Sequence, residues 1–197
     1  MHGLPALDGR VDTPGRTDAA IVHDLLVGAG VSPEQADARW ADVQAAAVER
    51  FRAQCPPSLA AHVAPGMAEL LPALAARPDE FRLSLVTGNL EAIARLKLAR
   101  AGIGEWFEPG QGGFGSDHRS RAELPAIARA RAGDWPRERT VVIGDTPRDI
   151  ACARADGVRV VAVATGPFAV EALADADAVV DDARALLPVL EDLAARH

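Results

Sequence analysis

The sequence predicts an α/β fold in which a parallel sheet carries helices on both faces, preceded by a helical piece. Three observations carry this expectation. From Gly66 onward, short apolar runs alternate with stretches of helical periodicity, and the connections between them are short. The run from Val158 to Val163 is apolar on both of its faces, as a strand buried from two sides must be. Two such runs, "SLVTGNL" and "TVVIGDTPRD", break into small polar and acidic residues where a helix begins. In open parallel sheets, chemistry gathers beyond the carboxyl ends of the strands.

The elements follow in order. "TDAAIVHDLLVGAG" sets Ile21, Leu25 and Leu26 on one helical face and stops at Gly28 and Gly30. "SPEQADARWADVQAAAVERFRAQ" predicts one long helix, with Ser32 as its cap, Pro33 in its first position and Glu34 and Asp37 in or near its first turn. Pro56, Pro57, Pro65 and Gly66 end this pattern. Next come a helix in "GMAELLPALAARP", a strand in "FRLSLVTG", and a helix in "NLEAIARLKLARAGI" that turns Ile93, Leu96 and Leu98 inward. "SRAELPAIARARAGD" reads as a helix, then "TVVIGD" as a strand, "PRDIACARADG" as a helix and "VRVVAVATG" as a strand. A short helix from Pro167, the strand "DAVVDD" and the helix "ARALLPVLEDLAAR" complete the chain. The division is a helical piece over 12–62 and an α/β core over 63–197.

Bulk properties narrow the function. A chain of 197 residues with 49% hydrophobic content supports one domain with a core and a small insert. A net charge of -7 argues against nucleic-acid or anionic-membrane partners. No apolar run approaches the length of a membrane helix, and the first residues lack a basic start before an apolar stretch. Cys55 and Cys152 form no disulfide framework or CxxC pair, and His118 has no histidine or cysteine at metal-ligand spacing, so no zinc site is expected. The expectation is a cytoplasmic protein.

Four stretches could carry chemistry. Thr87, Gly88 and Asn89 offer a hydroxyl, a glycine and helix N-terminal amides, which together suit an anion; Asn89 alone would serve equally as a helix cap. Asp145 ends a strand, and Thr146 with Asp149 three residues on makes a capping box that gives Asp149 a purely structural use. Asp145 gains nothing from that cap. Two carboxylates there suit a Mg²⁺ ion held by few protein oxygens and several waters. Arg121 opens a helix between these stretches and could neutralise a phosphate, or simply face solvent. The fourth stretch is "LDGR", Leu7–Arg10.

In this order and spacing, "LVTGN", a basic residue opening a helix, and "VVIGDTPRD" resemble the haloacid dehalogenase superfamily, chiefly its phosphatases. The resemblance runs from about Asp12 to the end and implies a Rossmann-like core under a small helical cap that chooses substrates. It implies that Thr87 hydrogen-bonds the transferred phosphoryl, with Gly88 and Asn89 around it. By the same resemblance Arg121 takes the place of the family's usual lysine, with Asp145 as the Mg²⁺-binding acid and Asp149 as the second acid, which supports the metal's water shell. The expected partner is a small phosphorylated metabolite.

One family feature is not seen. Its first strand ends in DxDGT, which supplies the nucleophile and the acid–base aspartate. "LDGR" follows Gly3 and Pro5 rather than an apolar run, and lacks the upstream aspartate and the following threonine. The expectation is therefore that the first, central strand is missing from this chain and that it has little or no phosphatase activity. That strand belongs between the strands ending at Thr87 and Asp145. Those two are then expected to close together, to recruit other backbone, or to leave a marginally stable fold. Rival readings are a phosphate-binding or regulatory domain without turnover, a metal-independent dehalogenase, which the Asp145 and Asp149 pair argues against, and a phospho-accepting receiver domain, which length and the helical insert disfavour.

Overall fold

A computed structural model describes residues 13–195; Leu7–Arg10 lies outside the described residues. The chain enters through α1 (Asp18–Gly28), whose cap Thr17 accepts from the Ala20 amide at 3.1 Å. The single long helix expected next divides at Arg39 into α2 (Pro33–Ala38) and α3 (Trp40–Gln54). Arg39 leaves helical geometry at φ -103° and ψ 8°, while Ser32 caps α2 as expected. α3 buries none of its residues.

The remaining elements are α4 (Met67–Ala75), β1 (Val86–Thr87), α5 (Glu91–Ala101), β2 (Gly113–Phe114), α6 (Leu124–Arg131), β3 (Val141–Gly144), α7 (Pro147–Asp156), β4 (Arg159–Val163), β5 (Ala178–Val180) and α8 (Leu186–Ala195). β2 was not anticipated, because a two-residue strand beside glycines carries no periodic signal. The short helix expected from Pro167 is a 3₁₀ turn at Val170–Leu173.

All pairing is parallel. β3, β4 and β5 form one sheet in that order, with Val142 opposite Val160 and Ala162 opposite Val179. β1 and β2 form another, with Thr87 opposite Phe114. The three-stranded sheet is covered on both faces. On one side Leu70, Leu74, Val161, Leu186 and Leu190 pack together from α4, β4 and α8, and on the other Val142, Ile150, Ala153 and Val160 pack from β3, α7 and β4. A fully buried aliphatic side chain such as Leu186 contributes about 1.5–3 kcal/mol over its exposed state.

Strands β1 and β3 do not close together. Among the described residues no ladder joins them, and Ile143 in the middle of β3 is 41% exposed. The missing ladder also explains why β1 is a two-residue strand where "FRLSLVTG" predicted a longer one. The helices hold the two sheets instead. Arg129 of α6 makes a bidentate pair with the buried Asp156 of α7, at 2.7 and 2.8 Å. Among the described residues, no helix is long and apolar enough to cross a membrane.

Candidate active site

β3 delivers Asp145 at its carboxyl end, and the next residues start α7 under their own local chemistry. Thr146 is the N-cap, Pro147 follows, and Asp149 completes a capping box with Thr146. Asp149 is 4% exposed. Its Oδ2 accepts from the Asp145 amide at 3.2 Å, the Thr146 amide at 3.0 Å and the Thr146 hydroxyl at 2.7 Å. Its Oδ1 accepts from Nη2 of Arg121. Gly144 permits this packing, since a Cβ there would fall 2.3 Å from Asp149 Cγ.

Asp145 differs. It is half-buried, and burial followed by the charge of Asp149 pushes its pKa up, while Arg121 pulls it down. Among the described residues no side chain donates a hydrogen bond to its carboxylate. Arg121 stands in a 3₁₀ turn, Arg121–Glu123, ahead of α6, with its side chain 17% exposed. Its Nε is buried and has no acceptor among the described residues. The site thus holds a guanidinium whose Nε has no acceptor among the described residues, near a carboxylate whose ionisation burial and Asp149 oppose.

The second half of the site follows β1. Thr87 Oγ1 accepts from the Asn89 amide at 3.2 Å, which leaves its own proton free to donate. Gly88 lies against Arg16 and Thr17, and a Cβ on it would meet the Arg16 carbonyl oxygen at 2.0 Å. The Asn89 side chain does not cap α5. Its Nδ2 donates to Asp18 at 3.3 Å, and its Oδ1 accepts from Lys97 Nζ at 2.7 Å. The expectation of open helix amides is also corrected. The Leu90 amide donates to Asp18 Oδ2 at 2.9 Å and the Glu91 amide to Ser116 Oγ at 3.2 Å, so α5 is capped from elsewhere in the chain.

Arg121, Asp145 and Asp149 therefore form one cluster, and Thr87, Gly88 and Asn89 a second. The segment from Pro14 to Asp18 straps the two. Arg148 donates to the Pro14 carbonyl, a Cβ on Gly15 would lie 2.8 Å from Thr146 Oγ1, and the Asp18 amide donates to the Gly88 carbonyl at 2.7 Å. The Thr17 hydroxyl donates to the Arg119 carbonyl at 2.6 Å. Asp18 and Ser116 escaped the sequence reading. An acid in a helix's first turn signals service to its own helix dipole and does not reveal a cap on another helix.

For a divalent cation, the site offers Asp145, since Asp149 and Asp18 already accept hydrogen bonds. The oxygens of Asp149 are taken by four donors, and among the described residues no group of three or more His, Cys, Asp or Glu side chains could hold a metal ion. This donor set fits Mg²⁺ only in its usual manner, with waters and a substrate oxygen completing the shell.

Residues 19–154 match the sequence profile of haloacid dehalogenase-like hydrolases. The chain is 32% identical over 184 residues to a phosphoglycolate phosphatase of Rhodospirillum rubrum, covering 84% of this chain and 76% of the relative. Among solved structures it resembles a provisionally assigned beta-phosphoglucomutase from Bacteroides vulgatus, with a TM-score of 0.62 and 20% identity over 91% of this chain and 71% of that one. A hydrolase from Pseudomonas syringae gives a TM-score of 0.58 and 22% identity over 91% and 80%. At these identities the structural likeness concerns the fold alone.

Proposed function

Because this chain belongs to the haloacid dehalogenase-like hydrolases, we propose that its site binds the phosphoryl group of a small phosphorylated metabolite and that its turnover by the 197-residue chain is weak. The observation that carries the reading is the buried, unpartnered Nε of Arg121 beside Asp145. A phosphate oxygen would satisfy that N–H, and the free proton of the Thr87 hydroxyl would serve a second oxygen. Asp145 would hold Mg²⁺, which when bound offsets the repulsion between carboxylates and phosphate. Asp149 would then act by holding Arg121 and the Asp145 backbone in place. The net charge of -7 supports a small metabolite over a nucleic acid.

The state of the acids among the described residues supports weak turnover. In-line phosphoryl transfer needs an unencumbered carboxylate nucleophile. Asp149 is enclosed by donors, Asp18 caps α5, and burial with the charge of Asp149 opposes ionisation of Asp145. The same observation favours a second reading, a phosphate-binding domain without turnover. Titration calorimetry with inorganic phosphate, with and without Mg²⁺, tests both, together with hydrolysis of p-nitrophenyl phosphate. The expected result is phosphate binding that Mg²⁺ strengthens and Thr87→Val weakens. Absence of phosphate binding with and without Mg²⁺ refutes the site, and robust Mg²⁺-dependent hydrolysis refutes the weak turnover.

A further inference from the structure

Asp145 owes its place to more than β3. Strands β3 and β4 run side by side with Gly144 opposite Ala162, so the segment that leaves β4 passes the carboxyl end of β3. That segment is still tied to the sheet at Ala164, whose amide donates to the Val180 carbonyl at 2.8 Å. Two residues on, the half-buried Gly166 lies directly against the Asp145 side chain. A Cβ on Gly166 would stand 2.3 Å from Asp145 Oδ2, 2.8 Å from its Cγ and 2.9 Å from its Cβ. Pro167 follows, and its ring restricts the backbone of the residue before it, which stiffens this wall.

The contact matters because little else holds the carboxylate. Among the described residues no side chain donates a hydrogen bond to Asp145, so steric contact sets where its oxygens point. A methyl group on Gly166 would turn the carboxylate about χ1 to clear Oδ2 and Cγ. The clash with Cβ would remain, since rotation about χ1 does not move that atom. The carboxylate would then aim elsewhere, and the end of β3 would shift slightly from the loop.

We propose that Gly166 is a positioning residue: the bare backbone beyond β4 sets the direction in which Asp145 presents its carboxylate to a divalent cation. The assignment rests on the reading of Asp145 as the acid that holds Mg²⁺. Two measurements test it. In titration calorimetry, Gly166→Ala is expected to bind inorganic phosphate without metal within about twofold of wild type, because the three atoms nearest the added methyl all belong to Asp145. Its Mg²⁺ affinity is expected to fall by about tenfold or more, as for other residues that orient a metal ligand. The second measurement is thermal unfolding in a cycle with Asp145→Gly, which deletes all three of those atoms. Gly166→Ala is expected to lower the melting temperature by at least about 3 °C more in the wild type than beside Asp145→Gly. Unchanged Mg²⁺ affinity, loss of metal-free phosphate binding as well, or an equal thermal cost in both backgrounds overturns the proposal. Should Gly166→Ala alone not fold, recovery of folded protein in the double variant supports the contact, and no recovery overturns it. If Mg²⁺ fails to bind even the wild type while the thermal difference persists, the metal reading of Asp145 falls and Gly166 stands as the residue that positions it.

Discussion

Replacing Asp149 by alanine removes one side chain that serves four donors: the Asp145 amide, the Thr146 amide, the Thr146 hydroxyl and Arg121. Asp149 is 4% exposed and the Arg121 side chain 17%, so water replaces the lost acceptor poorly. Loss of a helix cap costs about 1 kcal/mol, and removing one partner of a buried ion pair costs about 3–5 kcal/mol because the other charge stays behind. These costs overlap, so the expected total is about 3–5 kcal/mol, a large part of the ~5–15 kcal/mol that stabilises a typical domain. At ~2–4 °C per kcal/mol for a chain of this size, the melting temperature should fall by about 6–20 °C. Arg121→Met should cost less, because Asp149 keeps its three remaining donors. Adding Arg121→Met to Asp149→Ala should restore part of the loss, since the stranded charge is then gone. The assay is urea and thermal unfolding of the single and double variants, followed by circular dichroism. A loss below about 1 kcal/mol for Asp149→Ala, or no recovery in the double variant, would refute the view that Arg121 and Asp149 form one buried unit.

Further outcomes follow from the same structure. Asp145 has its pKa raised on folding, so its ionised form opposes the fold: that contribution is absent below the ordinary carboxylate range and is felt as pH rises through its raised value. Asp145→Asn should therefore raise the melting temperature at neutral pH without added metal, with the gain disappearing in acid. Asp156 has the opposite sign. Burial opposes its ionisation, but the hydrogen bonds and charge of Arg129, with Arg137, hold it below the usual range. Asp156→Asn should be destabilising at neutral pH, and the difference from wild type should shrink as pH falls through that lowered value. Gly88→Ala places a Cβ 2.0 Å from the Arg16 carbonyl oxygen, with backbone on both sides of the contact, so the strap must shift. A cost of more than about 3 kcal/mol, or loss of soluble folded protein, is expected, and an unchanged melting temperature would contradict the packing.

Much of this protein is legible in its residues because much of it is local. Ser32, Thr17 and Thr146 cap helices through contacts three residues ahead, and such contacts depend on little beyond the chain's own spacing. The apolar run of β4 and its neighbours likewise dictated a buried parallel strand, and Asp145 at the end of β3 was marked by the abrupt change from Ile143 and Gly144 to an acid. What only the tertiary structure decided is who serves whom across long separations. The Leu90 amide at the start of α5 is served by Asp18, 72 residues away, and Arg121 is drawn to Asp149, 28 residues on. Neither pairing has a spacing signature, because each exists only where packing brings a buried donor to an acceptor and the burial makes leaving it unpaired costly. The separation of the sheet into a pair and a trio has the same origin. Strand runs announce themselves by composition, whereas a ladder needs a neighbour, and the neighbours of β1 and β3 are set by the helices packed behind them.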